Sequence, residues 1–245
     1  MGNRVIAYIP LMYGSEYLEA CIKSMENCVE KIMVIYSPIG SQGHRTNIEC
    51  PEKESDLKEI ALKASSKVEW HVGYFPHEGA HRDWIYKHTG GYDVMITADS
   101  DEVFDEEDLK KAIEFVANGD KRMYGVDGFI NFWRSFNHVV LDGFRPYRFV
   151  NLKQPALTYG EVKCKIYHFG CCQKEEIVRF KWNVSGHKHE LRHNWIDDVY
   201  LAWSPSNNIP DLHPVARNLW NAAEYDKQTL PDILKNHVNF NKEVV

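Results

Sequence analysis

The strongest constraint on the fold lies in the first 118 residues, where short apolar runs alternate with amphipathic helical patterns. Residues 4–10 (RVIAYIP) are apolar, rich in β-branched side chains and end at a proline, which predicts a buried strand. Ser15 follows as a helix cap, with Leu18, Cys21, Ile22 and Met25 on one face at the i, i+3, i+4, i+7 spacing. Further strands are predicted at 31–36, 68–73 and 92–98. Between the second and third, Leu57, Ile60, Ala61 and Ala64 mark a helix with Ser55 or Asp56 as its cap, and a shorter helix spans 81–88. Asp105 caps a further helix with Leu109, Ala112, Ile113 and Val116 inward and Gly119 at its end. Strands alternating with helices predict an α/β fold with a mostly parallel central sheet flanked by helices.

The pattern changes near residue 124. Short β-like runs at 125–132, 144–152 and 162–169 are separated by Gly, Asp and Pro, which predicts a mixed or antiparallel second half. Residues 217–245 read as a helical tail. With 245 residues, 44% of them hydrophobic, the chain suits a single domain. Within it, 1–104 form the ligand-binding half, 105–213 the second half and 214–245 the tail.

No apolar run approaches the roughly 20 residues a membrane span needs, and the first ten residues read as a strand rather than a signal peptide. Net charge is −6 without a long basic run, which argues against general affinity for a nucleic acid backbone. The densest basic stretch, 179–193, holds Arg179, Lys181, His187, Lys188, His189, Arg192 and His193, and is the candidate surface for an anionic ligand. Six cysteines form no CxxC pair, so reduced thiols and a cytoplasmic setting are expected.

Two motifs offer chemistry. Asp99 and Asp101 follow directly on the predicted fourth strand, and open α/β sheets bind ligands outside the carboxyl ends of their strands. On an extended segment, side chains at i and i+2 share a face, so two hard oxygen ligands would point one way, suiting Mn²⁺ or Mg²⁺. The rival is His189-Glu190-Leu191-Arg192-His193, a literal HExxH, which would make a zinc metallohydrolase if a helix put both histidines on one face.

Three stretches give the chain a wider resemblance. YIPLMYGSEYLEACIKSM (8–25), GAHRDWIYKHTGGYDVMITADSDEVF (79–104) and GEVKCKIYHFGCCQKEEIVRFK (160–181) resemble segments of the family 2 glycosyltransferases, which carry the nucleotide-sugar fold called GT-A. Gly79, Arg82, Asp99, Asp101 and Glu102 match in the second stretch, and Glu161, His168, Gly170 and Lys181 in the third. The resemblance implies a metal-dependent, inverting transfer of a sugar from a nucleoside-diphosphate sugar, with a UDP-sugar as first choice, to an unidentified acceptor. Pro10, Leu11, Tyr13 and Ser37 would line the nucleoside pocket with Glu16 nearby. Arg82, Ser100 and Lys181 would serve the diphosphate. Asp99, Asp101 and His168 would hold the metal, and Glu161 would be the general base, with Asp142, Glu190, Asp197 and Asp198 as competitors. Where the family offers an Asp to the nucleobase this chain has Tyr36-Ser37-Pro38, which leaves the base open.

Overall fold

The computed structural model describes residues 2–40, 48–207 and 209–242. Its first half is built from β1 (Val5–Leu11), α1 (Ser15–Met25), β2 (Lys31–Tyr36), α2 (Glu54–Ala64), β3 (Val68–Val72), α3 (Glu78–Trp84) and β4 (Val94–Thr97). The second half adds β5 (Glu102–Phe104), α4 (Glu106–Asn118), β6 (Met123–Trp133), β7 (Ser135–Val140), β8 (Tyr147–Asn151), β9 (Tyr159–Cys171), α5 (Glu175–Val184), β10 (Ala222–Glu224) and α6 (Asp232–Lys235).

All ten strands of the described residues join one sheet, with the path β10-β7-β6-β8-β4-β1-β2-β3 and β9 bridging β5 and β6. The stretch β4-β1-β2-β3 is parallel throughout. From β8 onward most pairings are antiparallel, and β6 with β9 is parallel. The expected α/β class, with a parallel first half and a mixed second half, is what the chain forms.

Alternation along β1 divides the core. Val5, Ala7, Ile9 and Leu11 face α1, α2 and α4, where Leu18, Ile22, Leu57 and Leu109 are fully buried. Ile6 and Tyr8 point to the opposite face and pack with Met33, Ile35, Ile85 and Met95. Both faces of the parallel strands are therefore covered, which explains why their sequences read as continuous apolar runs. A third cluster gathers Trp133, Trp195, Tyr200 and Trp203, so these aromatic rings are core, not ligand platforms.

Several local expectations are corrected. Ser15 does not cap α1. Gly14 holds the cap position at φ 115°, and the Glu52 carboxylate accepts from the Gly14 and Ser15 N–H groups instead. The α2 cap position is Lys53, with Ser55 and Asp56 inside the first turn. Asp105 does cap α4, its side chain accepting from Asp108 N. β7 went unrecognised in the sequence. The tail is not a helix: its described residues hold β10, a short turn of 3-10 helix (Lys227–Thr229) and the four-residue α6.

Gly14 is also a close-approach position, because a Cβ there would lie 2.2 Å from Ser100 Oγ. Gly14→Ala is expected to cost about 1–3 kcal/mol from backbone strain alone. Urea denaturation measures it, and a variant as stable as the parent would contradict the assigned conformation.

Candidate functional site

A cleft opens at the carboxyl ends of β1, β2 and β4, where chain order in the parallel sheet reverses direction. Its walls include Pro10 and Leu11 at the end of β1, Tyr13 just after it, Ser37 after β2, Arg82 on α3, and Asp99, Ser100 and Asp101 after β4. His168 of β9 and Lys181 of α5 close the far side. Ten of the twelve side chains expected at a site are therefore brought together.

The acidic turn is not extended, as strand alternation would have it. Glu102 N donates to Asp99 O at 3.0 Å, closing a tight turn that sends the two carboxylates to different neighbours. Asp99 Oδ2 accepts from Arg148 Nη2 at 2.6 Å. Burial pushes its pKa up, but Arg148 and Arg82 outweigh that, and the net shift is downward. Asp101, only 6% exposed, accepts from Gln173 Nε2 at 2.8 Å and from Lys181 Nζ at 3.4 Å. Burial opposes the Lys181 charge while Asp101 supports it, and its pKa is raised.

Beneath the turn lies a buried ion pair. Glu102 is 0% exposed and receives Arg148 Nε at 2.8 Å on Oε2 and Nη2 at 2.5 Å on Oε1. Burial lifts the Glu102 carboxyl to about 8, with Arg148 acting in the opposite direction. One guanidinium thus joins Glu102 to Asp99 and fixes the turn from below. Arg148 reaches it through antiparallel register: β8 pairs Phe149 with Ile96 of β4, so Arg148 falls beside the end of that strand.

His168 is oriented by its cross-strand partner. β9 sets His168 opposite Asn131 of β6 and Glu102 of β5. Asn131 Nδ2 donates to Asp142 Oδ2, an acceptor only, so Asn131 Oδ1 must face His168 Nδ1, which therefore carries the proton. Burial also pushes the His168 pKa down, despite Asp101 nearby. The Nε2 lone pair is left facing Asp101 Oδ1 at 3.6 Å.

A nitrogen lone pair and a carboxylate oxygen aimed at one point suit a divalent cation that completes its shell with phosphate oxygens and water. Among the described residues, no three His, Cys, Asp or Glu side chains are grouped to hold such an ion unaided.

Two expected residues lie elsewhere. Glu161 is on β9 seven positions before His168, roughly 23 Å away along an extended strand. It is exposed and paired with Arg145 at 2.6 Å, outside the cleft. It is therefore corrected as a base candidate. Glu16 faces away from the cleft too, its Oε1 accepting from Asn239 Nδ2 and its backbone carbonyl contacting His237, so it anchors the tail to α1.

The HExxH segment forms turns, not a helix, between α5 and the helical residues Ile196–Leu201. Glu190 accepts from His187 at 2.6 Å, and the geometry a zinc hydrolase needs is not made. The basic stretch is largely neutralised internally: Arg179 pairs with Glu175 and Asp197, and Arg192 with Asp211. All six cysteines are free thiols, and no helix among the described residues is long and apolar enough to cross a membrane.

Sequence reasoning missed Arg148, Gln173 and Asn131. None stands near the acidic turn in the chain, and each reaches it through strand register or the lead into α5.

No protein-family model matches the chain, and no curated protein matches it. Among solved structures, glucosyl-3-phosphoglycerate synthase from Mycobacterium tuberculosis in complex with phosphoglyceric acid aligns over 52% of this chain and 44% of that one, with 14% identity and a TM-score of 0.37. The same enzyme with Mg²⁺ and uridine diphosphate aligns over 75% and 80%, with 11% identity and a TM-score of 0.43. A 4-diphosphocytidyl-2C-methyl-D-erythritol synthase from Anaerococcus prevotii DSM 20548 aligns over 72% and 94%, with 12% identity and a TM-score of 0.43. The aligned part spans less than half the length of the first of these structures. None of these similarities assigns a role to a residue of this chain.

Proposed function

We propose that this chain is a metal-dependent glycosyltransferase that takes a sugar from a nucleoside-diphosphate donor, with UDP as the first nucleoside diphosphate to test. The observation that supports it is the convergence of Asp99, Asp101, His168, Lys181 and Arg82 on one cleft at the carboxyl ends of parallel strands. Cations beside carboxylates at such a rim suit a diphosphate bridged by a divalent ion.

In this reading the nucleoside lies along Pro10 to Tyr13 and Ser37, and Lys181 and Arg82 face the diphosphate. Asp101 and His168 would hold Mn²⁺ or Mg²⁺. The ion, when bound, neutralises charge developing on the departing diphosphate. Asp99, tied to Arg148, keeps the turn in shape and stays ionised beside the donor. Lys181 adds a compact positive charge that needs no proton exchange to act. Transfer proceeds by single displacement with inversion at the anomeric carbon.

A thermal-shift screen of uridine, guanosine, cytidine and thymidine diphosphates with and without Mn²⁺ tests this. A ligand at about 100 times its Kd stabilises by about 2.7 kcal/mol, or roughly 5–10 °C for a chain of this size. One nucleoside diphosphate is expected to give a shift of that order only when Mn²⁺ is present. No shift with any of them removes the proposal.

A further inference from the structure

A second cavity shares Asp99 and His168 with the donor cleft and extends away from it between β6, the loop 141–146 and the segment 211–220. Its volume is about 440 Å³, inside the roughly 300–1,000 Å³ range of small-molecule sites. Phe129, Phe144 and Trp220 supply aromatic wall, and Phe144 is 59% exposed. Apolar faces left open to solvent beside a few polar groups mark a binding surface.

The polar groups are well defined. Asp142 is half-buried and held at both oxygens, Oδ2 by Asn131 Nδ2 and Oδ1 by Phe144 N at 2.9 Å. It makes no ion pair among the described residues, and each oxygen retains a lone pair for a further donor. Asp99, the other carboxylate of this cavity, is committed to Arg148. His213 Nδ1 accepts from Val215 N and Ala216 N, which places its proton on Nε2 as a donor. Trp220 Nε1 is buried with no hydrogen-bond partner among the described residues.

The segment carrying His213 and Trp220 is also strained. Asp211, Asn218 and Trp220 adopt φ of 60°, 58° and 65°, a region that costs a non-glycine residue free energy and collects at functional sites. Leu212 N to Trp220 O and His213 N to Leu219 O tie this strained loop together beside the cavity.

We propose that this cavity is the acceptor site, that it takes an uncharged carbohydrate hydroxyl, and that Asp142 is the general base. The proposal rests on the sugar-transfer reading above. The acceptor oxygen forms the bond to the anomeric carbon while the carbon–oxygen bond to the diphosphate breaks. The electron pair leaves with the diphosphate, and the acceptor's proton goes to Asp142. Asn131 links this base to His168, so the two half-sites are held in one relative position. Two carboxylates and no uncommitted cation in this cavity disfavour an anionic acceptor.

The test uses the full chain saturated with the nucleoside diphosphate and Mn²⁺ that give the thermal shift. Saturation-transfer NMR reads binding of methyl glucoside, galactoside and mannoside, each in both anomers. At least one is expected to bind the parent, and Phe144→Ala with Trp220→Ala to abolish that signal while leaving the nucleotide shift intact. Turnover of a panel of UDP-, GDP- and dTDP-sugars is then followed with those glycosides present. Asp142→Asn is expected to lower it by about 100-fold or more, the usual yield of a general base, with an unchanged Mn²⁺-dependent shift. Asp142→Glu should recover part of the rate.

Absence of glycoside binding overturns the carbohydrate site. A folded Asp142→Asn variant with more than a tenth of the parent rate overturns the base. If no nucleoside diphosphate shifts the parent, or no donor turns over, the sugar-transfer reading and this one fall together.

Discussion

Arg148→Met is expected to destabilise the chain by about 3–5 kcal/mol, the usual cost of removing one partner from a buried ion pair. Glu102 is 0% exposed and receives three contacts from that guanidinium, so no water replaces it. The variant must either bury an unpaired carboxylate or keep a proton on Glu102. Arg148 holds the Glu102 carboxyl at about 8 against burial, so its removal raises that value further, and the loss relative to the parent grows with pH where the parent's carboxyl ionises and the variant's does not. The loss should therefore be larger at pH 9.5 than at pH 6, measured by urea denaturation at both. The double variant Arg148→Met with Glu102→Leu should recover much of the loss, since two apolar groups leave no orphaned charge. A single variant as stable as the parent would mean that the pair does not hold the turn.

Asp101→Asn is expected to affect binding and rate with little change in the fold. The amide has the same shape and still offers an oxygen to Gln173 Nε2, which lies 2.8 Å from the carboxylate. What it lacks is the charge that Lys181 faces and that the proposed divalent ion would need. The Mn²⁺-dependent shift with nucleoside diphosphate should fall to near zero. Turnover should drop by about 100-fold or more, corresponding to about 3 kcal/mol of lost stabilisation. Ligand-free melting should move by only a few degrees. A folded variant that keeps the full metal-dependent shift would take Asp101 out of the metal's reach.

The two variants separate roles that the acidic turn combines in four consecutive residues. Glu102 and Arg148 form its foundation, with no solvent access for Glu102. Asp101 projects into the cleft among groups of opposite charge, and Asp99 stands between them. Two neighbouring carboxylates of one motif therefore differ in exposure and partner, and should differ in which measurement their loss disturbs.

Local patterning determined much of this. Apolar runs in β1, β2 and β4 and the 3.6-residue spacing of α1, α2 and α4 are properties of consecutive residues, and each of these six elements forms within a few positions of its expected bounds. The position of Asp99 and Asp101 followed from the same signals, because the end of a buried strand is marked by where the apolar run stops. The tail was misread because its few apolar residues, such as Leu230 and Leu234, pack individually against α1 and β7 and form no stripe. Glu161 was misplaced because spacing along the chain cannot tell which end of a long strand meets the cleft.

Sequence alone thus determined the layered α/β plan and the place of Asp99 and Asp101 at its rim, while the turn they form came from the tertiary structure. Tertiary structure alone decided the partners: Arg148 lies 49 positions from Asp99, Gln173 lies 72 from Asp101, and Asn131 lies 37 from His168. Helix and strand periodicity reports contacts a few residues apart. Register between strands that are distant in the chain is set by the packed core, and it is that register which chooses the charge each carboxylate meets.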